Sequence, residues 1–245
     1  MGVVATTDAE GNFEFKDLKG QDLGMVIVKP GYEYRRRSSS FSYSYFEADH
    51  KRHIPNSKDP VVFVLWKNES DGSLVYYEKN HRFPASGTPL RINLENGNVA
   101  ETIGDMIITI TRTPLRQLFG ELGFAWSATV DVPGGGLVPA GERDYYNLAP
   151  EVGYEPRFVH VQEAQSVSER GLGTIKWTWS RSFEDTFFIS CRNGKMFGRI
   201  ELRLMPNVDH KEGDNVCSVN LKVWLNPTGS RNLEFNPAKA IKPTP

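Results

Sequence analysis

Short β-forming runs separated by turn residues recur along the whole chain, and this pattern most constrains the fold. Residues 106–111 (MIITIT) alternate in polarity after the first two, and residues 124–132 (FAWSATVDV) carry apolar or small side chains at every even position. Successive side chains of a strand point to opposite faces of a sheet, so such runs form strands with one buried face. The sequence therefore predicts an all-β chain of β-sandwich architecture.

The predicted strands are rich in β-branched and aromatic residues and are bounded by turn residues. In the first third they are residues 12–16, 23–29, 41–45, 61–67 and 74–77. The later ones are residues 90–94, 106–112, 124–132, 158–161, 174–179, 186–191, 196–205 and 216–225. Asn193-Gly194 predicts a hairpin with a type I′ turn. A helical turn or two is predicted from the i, i+3, i+4, i+7 spacing of Leu115, Leu118, Phe119 and Leu122.

Two composition shifts predict a domain boundary in the first half of the chain. Residues 68–73 form a polar turn cluster, and residues 84–89 are rich in Pro, Gly and Ser. The predicted organisation is a first β-sandwich domain at 1–67, a connecting segment or hairpin at 68–89, and a larger sandwich or jelly-roll-like domain at 90–235. The last ten residues, 236–245, include three prolines and are expected to lie along the surface.

Charge and hydropathy exclude two classes of partner. The chain has 29 basic and 30 acidic residues, so its net charge of -1 gives no field that would attract nucleic acid. The longest apolar run, residues 61–66, is far shorter than the roughly 20 residues of a membrane-spanning helix. Cys191 and Cys217 are too few for a disulfide framework or a structural zinc site. Two buried thiols are favoured over a single bridge, which would require neighbouring strands.

The N-terminal region begins with a turn. Asp8 and Asn12 flank Gly11 between β-forming residues, which predicts a chain reversal with Gly11 at positive φ and hence a β-hairpin. Residues 7–13 (TDAEGNF), with LKG at 18–20 and KPGY at 29–32, resemble the carboxypeptidase regulatory-like family, also called transthyretin-like. The resemblance covers residues 1–67. It implies a prealbumin-like sandwich, appended in that family to secreted or cell-envelope bacterial proteins, and supplies no catalytic residues.

The chain departs from this family in one respect. Members carry one or two strands upstream of the Thr-Asp turn, whereas only residues 3–6 precede it here. The first domain is therefore expected to lack its first strands, and a missing upstream segment is expected to hold them together with a signal peptide. An open sheet edge of this kind favours edge-strand self-association. The remainder resembles the all-β portion of uncharacterised planctomycete-type surface proteins, through residues 225–234.

No catalytic or cofactor signature is present in the sequence. It contains no Gly-x-Ser-x-Gly, no phosphate-binding loop, no dinucleotide fingerprint and no His-Glu-x-x-His. The carboxylate pairs Glu142 with Asp144 and Glu184 with Asp185 are close in sequence only, and solvated side chains are the favoured interpretation. Residues 49–53 and 209–215 carry metal-ligating types without metal-site spacing. The chain is predicted to be no enzyme and to hold neither metal nor cofactor.

Aromatic pairs give the candidate ligand-binding residues. Trp177 and Trp179 share one face of a predicted strand, where two exposed indoles would stack on sugar rings and two buried ones would fill a core. Tyr43 and Tyr45 follow three arginines at 35–37. This pattern indicates either a surface for stacking on a ligand or an edge strand with its aromatic side chains turned inward. Burial is favoured in both cases, because large aromatic side chains are mostly buried.

The predicted function combines these observations. We expect a non-catalytic extracellular or cell-envelope module that serves structure or adhesion and binds glycan, located in the periplasm, at the cell surface or in the medium of a bacterium. Its expected partners are a polysaccharide or another envelope protein. The alternative is an accessory part of a carbohydrate-active enzyme, or such an enzyme with a cryptic site. A third hypothesis is structural assembly through the open N-terminal edge.

Overall fold

The structure, a computed structural model, describes residues 4–15, 22–34, 40–44, 58, 60–67, 72–114, 116–118, 121–141, 146–163, 180–208 and 215–243. The chain divides into two compact units, Met1–Asn68 and Glu69–Pro245. The described residues form strands and loops with one short 3-10 helix at Pro237–Lys239, so the all-β fold class is confirmed. Among them, no helix has the length and apolar character that crossing a membrane requires.

The strands are numbered in chain order. In the first unit they are β1 (Asp22–Val26), β2 (Tyr32–Tyr34), β3 (Ser40–Ser44) and β4 (Leu65–Lys67). In the second unit they are β5 (Val75–Pro84), β6 (Leu90–Ile92), β7 (Met106–Arg112), β8 (Arg116–Leu118), β9 (Glu121–Gly123), β10 (Trp126–Asp131), β11 (Gly136–Pro139), β12 (Arg157–Gln162), β13 (Phe183–Cys191), β14 (Met196–Met205) and β15 (Val216–Asn226).

The first unit contains two antiparallel pairs, β1 with β3 and β2 with β4. Its N-terminal turn is confirmed: the Asp8 N–H donates to the Asn12 carbonyl at 2.9 Å, the Asn12 N–H donates to Asp8 Oδ1 at 2.7 Å, and Gly11 has φ +87°. The described residues beside this turn, 4–7 and 13–15, lie outside the assigned strands. The predicted reversal is therefore present without the predicted strand at 12–16.

The second unit is built from two antiparallel sheets. The four-stranded sheet has the order β12-β10-β7-β6, and the five-stranded sheet has the order β11-β13-β14-β15-β5. Every second residue of β7 from Met106 to Ile110, and of β14 from Met196 to Leu204, is buried, and all of these except Gly198 belong to one shared apolar core. Phe158 of β12 and Phe187 of β13 meet in this core with ring centroids 4.9 Å apart. The two sheets thus pack face to face as a sandwich.

The five-stranded sheet is also covered on part of its other side. A second apolar cluster there contains Leu74, Ala140, Ala149, Phe188, Trp224 and Leu233. Because both faces of the sheet are covered at this point, the last five residues of β13, Phe187 to Cys191, are buried without alternation. This second cluster anchors the loop around Ala149 and the segment after β15.

The hairpin between β13 and β14 is confirmed. Its last ladder pair joins Cys191 to Met196, and the Lys195 N–H donates to the Arg192 carbonyl at 3.4 Å. Asn193 and Gly194 have φ +58° and +77°, which are the values of a type I′ turn. Asparagine and glycine tolerate this left-handed conformation better than other residues, so the turn follows from local sequence.

The predicted helical turns at 115–122 are wrong. Arg116–Leu118 pairs antiparallel with Glu121–Gly123, with two residues between the strands. Two glycines fall within or next to the apolar spacing, and each costs a helix about 1 kcal/mol relative to alanine. A spacing of four apolar residues is too short to separate a helix from a small hairpin.

Residues 75–84 extend the predicted strand at 74–77 within the predicted connecting segment or hairpin at 68–89. They form β5, a ten-residue edge strand paired with β15 along its whole length, from Val75 opposite Leu225 to Pro84 opposite Val216. The segment was hard to recognise because it is polar from Glu78 to Arg82, as suits an edge strand with partly exposed faces. β11, which begins at the last of the three glycines at 134–136, was not predicted as a strand.

The two cysteines are free and buried, as favoured from the sequence. Cys191 lies opposite Met196 at one end of β14, whereas Cys217 precedes Ser218, which lies opposite Met205 at the other end. The strands that carry them are separated by β14, which rules out the alternative of a bridge. Burial raises the pKa of each thiol to about 12.

We predict that both thiols are unreactive in the folded protein. Because burial raises their pKa, little thiolate forms near neutral pH and the sulfur atoms are out of reach of a reagent. Titration with an aromatic disulfide reagent should give no reaction in native buffer and full reaction of both thiols in denaturant. Fast labelling of either thiol in native buffer would contradict this arrangement.

We also predict that Gly135→Ala destabilises the second unit. An added Cβ at this position would overlap the backbone carbonyl group of Ser190, lying 2.7 Å from its carbon and 2.9 Å from the Cα of Cys191. Overpacking of this kind costs about 1–3 kcal/mol in the free energy of unfolding, or more where backbone must move. Urea denaturation measures it. The matched control is Gly24→Ala, whose new methyl group meets no atom within 4 Å and should leave stability nearly unchanged.

Candidate functional site

The outer face of the four-stranded sheet is the leading candidate surface. On β7, β10 and β12, the residues between the core positions point away from the sandwich interior. The strand registers place nine of them in a grid of three rows. The rows are Thr111, Ser127 and Val161; Thr109, Thr129 and Val159; and Ile107, Asp131 and Arg157. We call this grid the hydroxyl face.

The spacing of the grid follows from sheet geometry. Neighbouring strands lie about 4.8 Å apart, and alternate residues along a strand lie about 6.8 Å apart. Thr109 and Thr129 are directly opposite each other, and the Thr111 and Ser127 hydroxyls are hydrogen-bonded at 2.8 Å. Each hydroxyl can donate one hydrogen bond and accept two, so this internal bond leaves further capacity on both groups. Four hydroxyls therefore stand at regular intervals on one surface.

The β12 side of the grid is apolar and open to solvent. Val159 and Val161 are 52% and 62% exposed. Below them in the third row, Arg157 Nε donates to Asp131 Oδ1 at 2.5 Å, and the Arg157 side chain is 63% exposed. The face thus offers hydroxyls in its middle, two valines along one side and one ion pair at one end. Such an arrangement can hydrogen-bond and make apolar contact with a bound molecule.

A second open surface lies on the polar half of the five-stranded sheet, away from the second apolar cluster. Here charged residues stand in cross-strand pairs: Arg203 Nε lies 3.7 Å from Glu184 Oε2, and Lys222 Nζ lies 3.8 Å from Glu201 Oε2. All four side chains are at least 36% exposed. Because each charged side chain has a neighbour of opposite charge, this surface has little net electrostatic field. Its residues provide the control substitutions for the hydroxyl face.

A polar cluster closes one end of the sandwich. Arg192 Nε donates to Asp105 Oδ1 at 2.8 Å, its Nη2 donates to Asp105 Oδ2 at 3.1 Å, and its Nη1 lies 2.7 Å from Glu95 Oε2. The hydrogen bond that Arg192 donates to Asp105, and then the one that it donates to Glu95, raise the pKa of Arg192. Asp105 also accepts from the Leu94 N–H at 2.9 Å. These bonds join the β13–β14 hairpin to the loop after β6 and hold Arg192 at a left-handed φ of +54°.

The residues singled out in the sequence fall mainly elsewhere. Tyr43 lies on β3 opposite Leu23, with its side chain outside the described part, and Tyr45, Trp177 and Trp179 lie outside the described residues altogether. The same holds for residues 142–144, 49–53 and 209–214. Glu184 and Asp185 are described, and as consecutive residues of β13 they point to opposite faces of the sheet. Within the described residues, no group of three potential metal ligands is found.

The hydroxyl face itself was missed by sequence reasoning. The sequence signal was the set of polar residues that alternate with apolar ones in two predicted strands. These residues are Thr109 and Thr111 in one strand and Ser127 and Thr129 in the other. Only the register, which pairs Thr109 with Thr129 and Thr111 with Ser127, brings these hydroxyls together. Strand pairing is not encoded in the spacing of a single strand, so the grid could not be found from alternation alone.

Two histidines of the second unit, His81 and His160, are partly buried. The His160 ring lies between Trp126 and Phe183, with centroid distances of 4.6 and 4.7 Å, and burial lowers its pKa. Burial, and then the nearby charge of Lys79, lower the pKa of His81. An unfolded imidazole takes up its proton near pH 6.5, whereas these two take it up only at lower pH.

Stability is therefore predicted to fall as the pH drops through this range. Protons bind more strongly to the unfolded state, so stability present above about pH 6.5 is lost on acidification. Replacing both residues, His81→Gln with His160→Gln, should reduce the difference in unfolding free energy between about pH 7.5 and about pH 5.5. Urea titrations at the two pH values test this. An unchanged difference in the double variant would show that other groups cause the pH dependence.

Comparison with known proteins adds no assignment to this site. No family model, no curated protein and no solved structure matches the chain. The resemblance of residues 1–67 to the regulatory-like family therefore stays a prediction. The functional hypothesis depends on the geometry of the chain's own residues.

Proposed function

We propose that this chain is a non-catalytic binding module of the bacterial cell envelope or extracellular space, and that the hydroxyl face holds a polysaccharide. The observation that carries the proposal is the grid of four hydroxyls, Thr109, Thr111, Ser127 and Thr129, on an open sheet face bordered by exposed valines. The envelope setting comes from the resemblance at residues 1–67.

The chemistry of the face suits a hydroxyl-rich polymer. A sugar ring offers hydroxyls that both donate and accept, and a threonine or serine hydroxyl is complementary to either role. The methyl groups of Val159 and Val161 provide apolar contact for the C–H surfaces of a sugar, whose burial is favourable. At the end of the grid, Asp131 and the exposed guanidinium of Arg157 supply charge-assisted hydrogen bonds, which are stronger than neutral ones.

The predicted tryptophan pair enters this proposal as an additional contact. The chain leaves β12 at Gln162 and returns at Ser180, where the Ser180 N–H donates to Gln162 Oε1 at 3.4 Å and its carbonyl accepts from Trp126 Nε1 at 3.1 Å. Ser180 is thus attached to the side chains of Trp126 and Gln162, which point to the core face of the sheet, and the tryptophan contact depends on the sequence argument. Tyr43 and Tyr45 in the first unit remain separate candidate ligand-binding residues on the sequence argument alone.

Affinity gel electrophoresis against a panel of soluble polysaccharides tests the proposal. We expect one polysaccharide to retard the wild-type chain. The double variant Thr109→Val with Thr129→Val should lower that affinity about tenfold or more, because each lost hydrogen bond contributes about 0.5–1.5 kcal/mol. Valine preserves both shape and β-propensity, so the fold is retained. The matched control is Thr186→Val, which lies opposite Glu201 on the other sheet and should bind as the wild type does.

Three outcomes contradict the proposal in different ways. Retardation by none of the polysaccharides would argue against glycan binding by this chain. Retardation that survives the threonine variant but disappears in Trp177→Ala with Trp179→Ala would move the site from the hydroxyl face to the tryptophans. Release of reducing sugar during incubation would favour the alternative of a carbohydrate-active enzyme.

A further inference from the structure

The edge strands of the two large sheets differ in whether a neighbouring segment bridges to them. Three of the four edge strands have one isolated bridge to a neighbouring segment on their outer side: Glu155 bridges to Leu137 of β11, Val99 to Ile92 of β6, and Ile241 to Val75 of β5. The last of these is reinforced by the Ile241 N–H donating to the Leu74 carbonyl at 2.9 Å. Within the part of the chain that the structure describes, β12 has no such bridge on its outer side. Uncovered edges recruit further strands.

The backbone groups that β12 presents outward can be identified from the ladder. The Val132 N–H donates to the Pro156 carbonyl at 2.9 Å, so Pro156 forms a hydrogen-bonded pair with the β10 side. Hydrogen-bonded pairs alternate along an antiparallel ladder, so Phe158, His160 and Gln162 also turn their backbone groups toward β10. The N–H and C=O groups of Arg157, Val159, Val161 and Glu163 consequently point away from the sheet.

We propose that β12 pairs with β12 of a second copy of this chain, antiparallel and about a twofold axis at His160. This register places Val159 opposite Val161 of the second copy and Arg157 opposite Glu163 of the second copy, each contact occurring twice by symmetry. All four residues belong to the outward-pointing set, so the ladder forms hydrogen bonds at each pair. The exposed valines gain apolar neighbours, and Glu163, exposed and without an ion pair among the described residues, gains a cation.

The neighbouring antiparallel register about Val159 is less favourable. A twofold axis at Val159 would set Glu155 opposite Glu163 and would place Arg157 opposite Val161. Like charges directly across a ladder are destabilising, and opposite charges contribute roughly 0.2–1 kcal/mol per pair. The sequence of β12 is therefore complementary to itself in the register about His160, which is why a second copy is the occupant that we propose.

Pairing of the two β12 strands brings the hydroxyl faces of the two copies together. Joining β12 to its counterpart makes one continuous eight-stranded sheet from two four-stranded ones. An axis perpendicular to the sheet keeps the outer faces on the same side, so the two hydroxyl faces adjoin. The dimer is inferred from the edge alone and holds whether or not the face binds a polysaccharide. If the face does bind one, two adjoining copies strengthen binding to a polymer through effective concentration.

Sedimentation of the whole 245-residue chain over a concentration series, combined with amide hydrogen exchange, tests the dimer. We expect a monomer–dimer equilibrium in which the Val159 and Val161 amides become protected only as dimer forms. Glu163→Lys should raise the dimer dissociation constant at least about tenfold, because two favourable charge pairs become repulsive. Glu184→Lys, the same charge change on an exposed residue of the other sheet, should leave it unchanged.

A second variant removes the ladder without altering charge. Val161→Pro eliminates an outward N–H, a position where an edge strand tolerates proline, so the monomer should fold while dimerisation is lost. Three results would overturn the proposal. The first is a monomer at every concentration, and the second is protection of the Val159 and Val161 amides in the monomer, which would mean that the chain covers this edge itself. The third is a dimer whose dissociation constant is unchanged by Glu163→Lys and by Val161→Pro. The last result would place the interface elsewhere, as at the N-terminal edge expected from the sequence.

Discussion

The apolar layer between the two sheets is the interaction on which the rest of the second unit depends. Ile108 and Ile110 of β7 face Ile200, Leu202 and Leu204 of β14 across one continuous core, and all five are buried. Each such side chain contributes about 1.5–3 kcal/mol when fully removed from water. Shifting any one strand by a single residue would turn its whole apolar set toward solvent, so this layer fixes the register throughout. The outward residues then have no freedom of position: once Ile108 and Ile110 are inside, Thr109 and Thr111 must be outside.

The two open faces that result differ in how their polar groups are satisfied. On the five-stranded sheet, cross-strand pairs such as Arg203 with Glu184 leave each charge an opposite neighbour. Exposed pairs contribute at most about 1 kcal/mol each, so their main effect is on the field at the surface. On the four-stranded sheet the central positions carry hydroxyls, which have no net charge and retain capacity for partners. The hydroxyl face therefore differs from the open surface of the five-stranded sheet because it is neutral and can still form hydrogen bonds with a partner.

Local features of this architecture could be predicted from the sequence, and pairings could not. β7 and β14 begin and end at the residues that alternation predicts, and the Asn193-Gly194 turn forms as its dipeptide requires. Polar β5 was divided between a short strand and a connecting segment, because a long edge strand has no continuous apolar pattern. The hairpin of β8 and β9 was mistaken for helical turns over an eight-residue span. The hydroxyl face depends on the pairing of β7 with β10, while the tryptophans proposed at 177 and 179 lie outside the described residues and stay a prediction.

The alternation of residues between the two faces of each strand, which produces the hydroxyl face, also determines what the β12 edge can bind. In an antiparallel ladder the residues that point one way out of the sheet also share one direction of their backbone groups, so Val159 and Val161 carry both the exposed side chains and the outward N–H groups. A strand added at this edge must therefore place its own residues beside those valines on the same outer face. A charged neighbour there would lose solvation without a partner, whereas a valine gains contact. β12 itself offers valines at that position, with an acidic residue two places beyond them to meet Arg157.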